Sequence, residues 1–222
     1  MDDRVRRTTM NRIRPKRRLP RTFFNRPTLT VARELLGKRL VKLEDQHVRL
    51  SGIINETEAY IGADDLGCHA RSGKTQRNAA MWGPPGHCYV YFTYGVHWML
   101  NFVCEEDGFP AAVLIRGIMP QEGRPIMRRR RGRASEFGLT DGPAKLCQAL
   151  SIERSFDGHD LCRPTSQLFV EEGMIAGNFS VTVGPRVGLN NVPEPWKSIP
   201  WRFRIESVQS DETNENPRRR NE

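Results

Sequence analysis

"HCYVYFTYGVHWMLN", residues 87–101, decides how this chain is built. Runs rich in aromatic and aliphatic residues span 88–93 and 96–104, and Tyr94-Gly95 falls between them. Two strand-like runs around a glycine-bearing break predict a β-hairpin. The stretch also holds Tyr89, Tyr91, Phe92, Tyr94 and Trp98, in a chain with 18 aromatic residues among 222. Either these rings pack a core hairpin, or some of them are placed to meet flat, stackable groups from outside.

Working outward, "KRLVKLE" (38–44) and "HVRLSGIINETEAYI" (47–61) alternate as two strands joined by a turn near Asp45 and Gln46. "PAAVLIRGI" (110–118), "SQLFVEEG" (166–173) and "FSVTVGPRVGL" (179–189) read as further strands. Thr28 or Thr30 is placed to cap a short helix through "VARELLGK" (31–38), with Gly37 near its end. A basic helix is expected over "RPIMRRRRGRAS" (124–135). Another runs through "AKLCQALS" (144–151), opened by Asp141-Gly142-Pro143 with proline suited to the first turn. Residues 62–88 read as a polar loop closed by the "GPPG" turn at 83–86. With no internal repeat and no inter-domain linker, the expectation is α+β: a single compact domain, mainly an antiparallel curved sheet with a protruding β-hairpin and surrounding helices.

The net charge is +9 and the isoelectric point near 9.7. Residues 1–22 hold nine Lys/Arg against Asp2 and Asp3, a net +7, which leaves +2 for the other 200 residues. Residues 1–21 therefore read as a basic, disordered arm, 22–206 as the folded domain and 207–222 as a polar tail. Such an arm strengthens non-specific nucleic-acid binding by counterion release, or is a solvated tail. Five cysteines, an odd number without a C-x-x-C pair, argue against a disulfide framework and suggest a reducing, intracellular setting. No run of about 18 apolar residues and no apolar leader segment are present, so neither a membrane span nor secretion is expected.

Two features carry chemistry. In "GIINETEAYIG" (52–62) the strand period puts Ile54, Glu56, Glu58 and Tyr60 on one face. Paired carboxylates beside a tyrosine cost desolvation unless they serve a site or meet basic partners. They suit either a glycosidase-type acid pair or an acidic edge facing the chain's many basic groups. The second feature is the loop "DDLGCHARSGKTQRNAAMWGPPG" (64–86), which supplies His69, Arg71, Lys74, Arg77 and Asn78 and could wrap a phosphate backbone. Cys68-His69 and His87-Cys88 raise the question of zinc, but their spacing matches no zinc pattern, and no metal or cofactor is expected.

Taken in order, "ETEAY", the histidine nine positions later in "CHARSG", "KTQRN", "GPPGHCYVYFTYG", the asparagine of "WMLN", "AAVLIRG" and "DGPAKLCQAL" closely resemble the alkyladenine, or 3-methyladenine, DNA glycosylase family, over roughly residues 22–206. That family excises alkylated and deaminated purines by base flipping. The resemblance implies that Glu58 is the general base activating a water for attack on C1′, with Glu56 its neighbour. It implies that Tyr60, His69 and Tyr91 sandwich the flipped base and that Tyr94, at the hairpin tip, fills the gap left in the duplex. Asn101 becomes the pocket residue that crowds the exocyclic amine of guanine. Arg116 lies near the flipped nucleotide, and Arg77 and Lys145 look like further DNA-backbone contacts. The implied partner is double-stranded DNA containing damaged purines, bound by a monomer that uses no cofactor and leaves an abasic site. Thr93, His97-Trp98-Met99 and the basic run Arg128–Arg131 with Arg133 depart from the family pattern. A non-catalytic sensor of distorted DNA and a sugar glycosidase using Glu56 and Glu58 are the competing readings.

Overall fold

A computed structural model describes residues 17–44, 48–132, 138–173 and 179–207. In chain order these form helices α1 (Arg21–Phe24) and α2 (Thr28–Glu34), then strands β1 (Arg39–Glu44) and β2 (Val48–Ile61). The hairpin β3 (Cys88–Thr93) and β4 (His97–Val103) follows, then strand β5 (Ala111–Glu122) and helices α3 (Arg124–Arg131) and α4 (Pro143–Leu150). Strands β6 (Leu168–Glu171), β7 (Phe179–Gly184) and β8 (Arg202–Ser207) complete the chain. Every strand pairing is antiparallel and the sheet curls, the α+β architecture expected. The turn expected at 45–46 and residue Arg133 lie outside the described residues.

The fourteen-residue β2 is the spine. One edge pairs with β5 along nearly its whole length, while the other pairs first with β1 and then, at Glu56–Glu58, with β8. Helices α1, α2 and α4 cover one side, burying Phe24, Val31, Leu35, Leu146 and Leu150 in one core with Leu50, Ile54 and Ile115. Each such side chain contributes about 1.5–3 kcal/mol of apolar burial. In α4, Leu146, Cys147, Ala149 and Leu150 form the buried stripe that 3.6-residue periodicity demands.

Three local expectations are revised. Pro27 occupies the N-cap of α2, and Thr28 is already helical. The free N-terminal donors are met from outside: both the N–H and the hydroxyl of Thr28 donate to Glu105 Oε1, at 3.0 and 2.5 Å. The loop 62–88 contains two short 3₁₀ turns, His69–Ser72 and Ala79–Trp82. Residues 17–21, counted with the arm on composition, pack on the domain: Leu19 is buried and its N–H donates to Val170 O, and the Arg18 guanidinium lies 3.6 Å from the Phe169 ring centre.

Helix α3 buries only Met127. It enters through Gly123 at φ +76°, where a Cβ would stand 2.2 Å from Leu50 Cδ2, so no other residue fits. Two arginines of the basic run are used internally: Arg130 forks onto Glu44, and Arg131 bonds Gln148 Oε1 on α4.

Strand β4 pairs with β5 only at 101–103, so the distal half of the hairpin extends past the sheet. Its turn puts both Tyr94 (φ +51°) and Gly95 (φ +68°) in the left-handed region, the primed geometry that matches strand twist. Tyr94 is 86% exposed.

Candidate active site

Glu58 reaches its position through an irregularity that alternation alone does not reveal. Opposite β5, Ile54 pairs with Ile118 and Glu56 with Gly117, so Asn55 is an extra residue, a β-bulge. The bulge resets the two-residue period. Ile54 therefore points into the main core with Ala59, contrary to the face shared with Glu56 and Glu58 that strict alternation predicts. After the bulge, Thr57 faces α2 and donates to Ala32 O, while Glu58 and Tyr60 face a cavity of about 360 Å³.

That cavity is walled by β2, β3, β4 and β5, with Met81, the start of α4 and the loop after β7 closing it. All four tyrosines of the chain, at 60, 89, 91 and 94, stand around it, as do His69, Asn101 and Arg116. A smaller apolar cluster of Cys68, Ala70, Met81, Tyr89, Val103 and Ala112 backs the tyrosine side and holds the rings in place. His69 and Tyr91 meet edge to face at 4.5 Å between ring centres, and His69 Nδ1 is 2.9 Å from the Tyr89 hydroxyl.

Glu58 is fully buried in the cavity wall. Its Oε2 accepts from the Tyr60 hydroxyl at 2.9 Å and its Oε1 from the Val187 N–H at 2.7 Å. The Arg116 Nη1 lies 3.3 Å from Oε1. Burial raises the Glu58 pKa above 4.5, against the opposing pull of the Arg116 charge, the Val187 N–H and the Tyr60 hydroxyl. These three donors leave part of the carboxylate's accepting capacity unused.

Glu56 has a different place. It accepts from Arg116 Nε and Arg202 Nε, both at 2.7 Å, and does not line the cavity. Two guanidinium groups consume it, which leaves the glycosidase-type acid pair without its second member. Arg116 thus joins Glu56 to Glu58 and balances the charge behind the site.

Burial lowers the His69 pKa, with Arg77 and Arg71 adding to the effect, so the imidazole is neutral at pH 7. Burial also pushes Tyr91 up to about 12 and raises Tyr60 and Tyr89, which keeps those rings neutral. The lining is a set of uncharged, electron-rich rings around one carboxylate.

Asn101 is buried and donates its Nδ2 to Tyr89 O across the hairpin at 3.0 Å. Arg77 lies outside the cavity: it is exposed, donates to Phe92 O at 3.2 Å, and its guanidinium is 5.9 Å from the Tyr91 ring centre. Lys145 is also outside, on the first turn of α4, paired with Asp141 at 2.7 Å. Pro143 of the same turn reaches the cavity.

A family model for methylpurine-DNA glycosylase matches residues 22–209. The chain belongs to the methylpurine-DNA glycosylase family. Proteins named "Putative 3-methyladenine DNA glycosylase" are similar along most of their length. One from Methanocella arvoryzae is 48% identical over 187 residues, 83% of this chain and 90% of its own. One from Desulfitobacterium hafniense is 45% identical over 203 residues, 87% and 97% of the two chains. One from Chlorobaculum parvum is 44% identical over 186 residues, 84% and 86%. Membership makes this methylpurine-DNA glycosylase family member a DNA repair protein with a DNA substrate. No helix among its described residues is long and apolar enough to cross a membrane.

Two functional groups of this family member escape a reading by motif and spacing. Val187 presents its N–H to Glu58 from 129 positions away, and Arg186 is buried behind Tyr60. The only local signal is an arginine set among turn residues in "GPRVG".

Proposed function

We propose that this family member flips alkylated or deaminated purines out of duplex DNA and hydrolyses their N-glycosidic bond, leaving an abasic site. One observation carries the reading: a fully buried carboxylate, Glu58, faces a cavity ringed by Tyr60, His69, Tyr89 and Tyr91, with the exposed ring of Tyr94 at its mouth.

Each part has a physical task. Tyr94 fills the space left in the duplex, which needs a large ring free of the protein core. A flipped purine stacks among the cavity rings, worth about 1–3 kcal/mol per base. A cationic alkylpurine gains further from neutral tyrosine faces and avoids the repulsion that a protonated His69 would exert. Arg116 and the Val187 N–H favour the ionised form of Glu58 against the opposing effect of its burial. Glu58 then accepts a proton from the attacking water as oxygen bonds to C1′. The C1′–N bond breaks, its electrons go to the departing base, and a cationic lesion leaves as a neutral purine. Neutral lesions need protonation on the ring. Asn101, fixed by Tyr89 O, fills the space where the exocyclic amine of guanine would sit, so normal guanine is excluded sterically. Arg77 and Lys145 add phosphate contacts that position the duplex without reading its sequence.

The test is release of free base from duplex oligonucleotides holding a single hypoxanthine or alkyladenine. Release from at least one of them, leaving an alkali-labile abasic site, is the expected result. Binding to every lesion duplex without release from any would instead favour a sensor of distorted DNA.

A further inference from the structure

We infer, on the functional reading above, that the buried Asp65–Arg186 ion pair is the positioning element of the site, setting both the Tyr60 ring and the carboxylate of Glu58. Neither side chain of the pair reaches solvent. The contact is a fork: Arg186 Nη1 lies 2.5 Å from Asp65 Oδ2, and Nη2 lies 2.8 Å from Oδ1. Buried arginine forks are rigid in a way single-point lysine contacts are not.

Three chain segments converge on this pair, and each supplies a different part of the site. The first is the end of β2: Arg186 Nη1 also donates to Ala59 O at 3.1 Å, and its guanidinium carbon lies 4.7 Å from the Tyr60 ring centre. It is 5.2 Å from the Trp201 ring centre as well, so Arg186 fixes the tilt of Tyr60 from behind. The second is the loop to His69. Asp65 accepts the N–H groups of Ile61 (3.3 Å) and Gly67 (2.9 Å), closing the loop just before Cys68 caps the turn that carries His69. The third is the segment after β7. Arg186 immediately precedes Val187, whose N–H holds Glu58 Oε1 at 2.7 Å.

Gly67 gives an independent sign that the fit is tight. A Cβ there would stand 2.8 Å from Arg186 Nη2 and 2.7 Å from Leu189 Cδ1, and both Gly67 and Leu189 line the cavity. The site therefore lacks a side chain at residue 67 so that the fork can close. The Arg186 guanidinium packs against Gly67 and Tyr60, both of which line the cavity.

The experiment compares the parent protein with Arg186→Lys and Gly67→Ala on a duplex carrying one alkyladenine. Arg186→Lys keeps the charge and loses the fork. Gly67→Ala keeps both charges and pushes on the fork. The duplex dissociation constant, the release rate at saturating protein and the melting temperature are measured for each. Misplacement by about 1 Å costs up to roughly 10²-fold in rate, so release at saturation should slow by about 10- to 100-fold in both variants, with the dissociation constant nearly unchanged. Should both folded variants release base at the parental rate, differing only in melting temperature, the pair serves the fold alone and the inference fails. Failure of both variants to fold overturns it equally. A parent that releases no base from any lesion overturns the functional reading itself, a result distinct from either.

Discussion

Glu58→Gln separates a carboxylate kept for chemistry from one kept for the fold. Glutamine preserves size and one accepting oxygen but removes the buried charge. Arg116 keeps its 2.7 Å bond to Glu56, so the basic partner is not stranded. Loss of a general base typically costs 10²–10⁴-fold, so base release should fall to the limit of detection while duplex binding persists. Stability should move the other way. Burial raises the Glu58 pKa above 4.5, so between pH 4.5 and the folded value the native state binds more protons than the unfolded chain. Stability is therefore lost as pH rises through that window, and the deficit persists at neutral pH. It amounts to about 1.4 kcal/mol for each unit by which the folded pKa exceeds 4.5. The acid limb of excision at subsaturating DNA reports that same pKa in the free protein. Two experiments are thereby locked together. The midpoint of the limb should predict, to within the roughly 1 kcal/mol of an altered hydrogen bond, how much more urea the Gln variant withstands at pH 7.5. A variant that excises within tenfold of the parent refutes the role of Glu58. So does one destabilised by more than about 2 kcal/mol, since a carboxylate serving the fold is missed when its charge is removed.

Tyr94→Gly should raise stability by up to about 1 kcal/mol, because it relieves a φ of +51° at a side chain that buries almost nothing. The same change should weaken capture of the flipped state, so melting temperature and excision rate should move in opposite directions; parallel movement would remove the wedge. Asn101→Ala should admit guanine, measured as new release of unmodified guanine from undamaged duplex, at a stability cost of about 1 kcal/mol for the bond to Tyr89 O. Arg77→Ala and Lys145→Ala should each reduce the slope of log affinity against log salt by about one and leave lesion preference unchanged. A slope equal to the parent's would mean that the residue touches no phosphate.

The hairpin and the carboxylate were legible for one reason: both lie on single strands, where period two ties sequence to face. Tyr94-Gly95 could be placed at a tip because few turns accept two consecutive positive φ values, and glycine marks such a turn. The same rule misplaced Ile54, since a bulge adds one residue without disturbing the local composition, and Asn55 differs little from any other polar strand residue. The helix cap failed for a related reason. Thr28 has the composition of a cap, yet its donors are satisfied by Glu105, 77 positions away, a partner that no local window contains. What escaped altogether is whatever the sheet topology brings together. Strand β8 lies beside β2 only after β7 has run out and the chain has returned through 185–201, and that return delivers Arg186 and Val187 behind the site. Motif spacing therefore finds cavity-lining groups such as Glu58, Tyr60, Tyr89 and Tyr91, which sit on regular strands at short separations. The groups that hold them still come from distant segments. It follows that Arg186, which by composition reads as one more basic residue in a chain of net charge +9, adds nothing to the surface potential. Its charge is spent on Asp65, and the DNA-attracting field must come from the exposed basic groups instead.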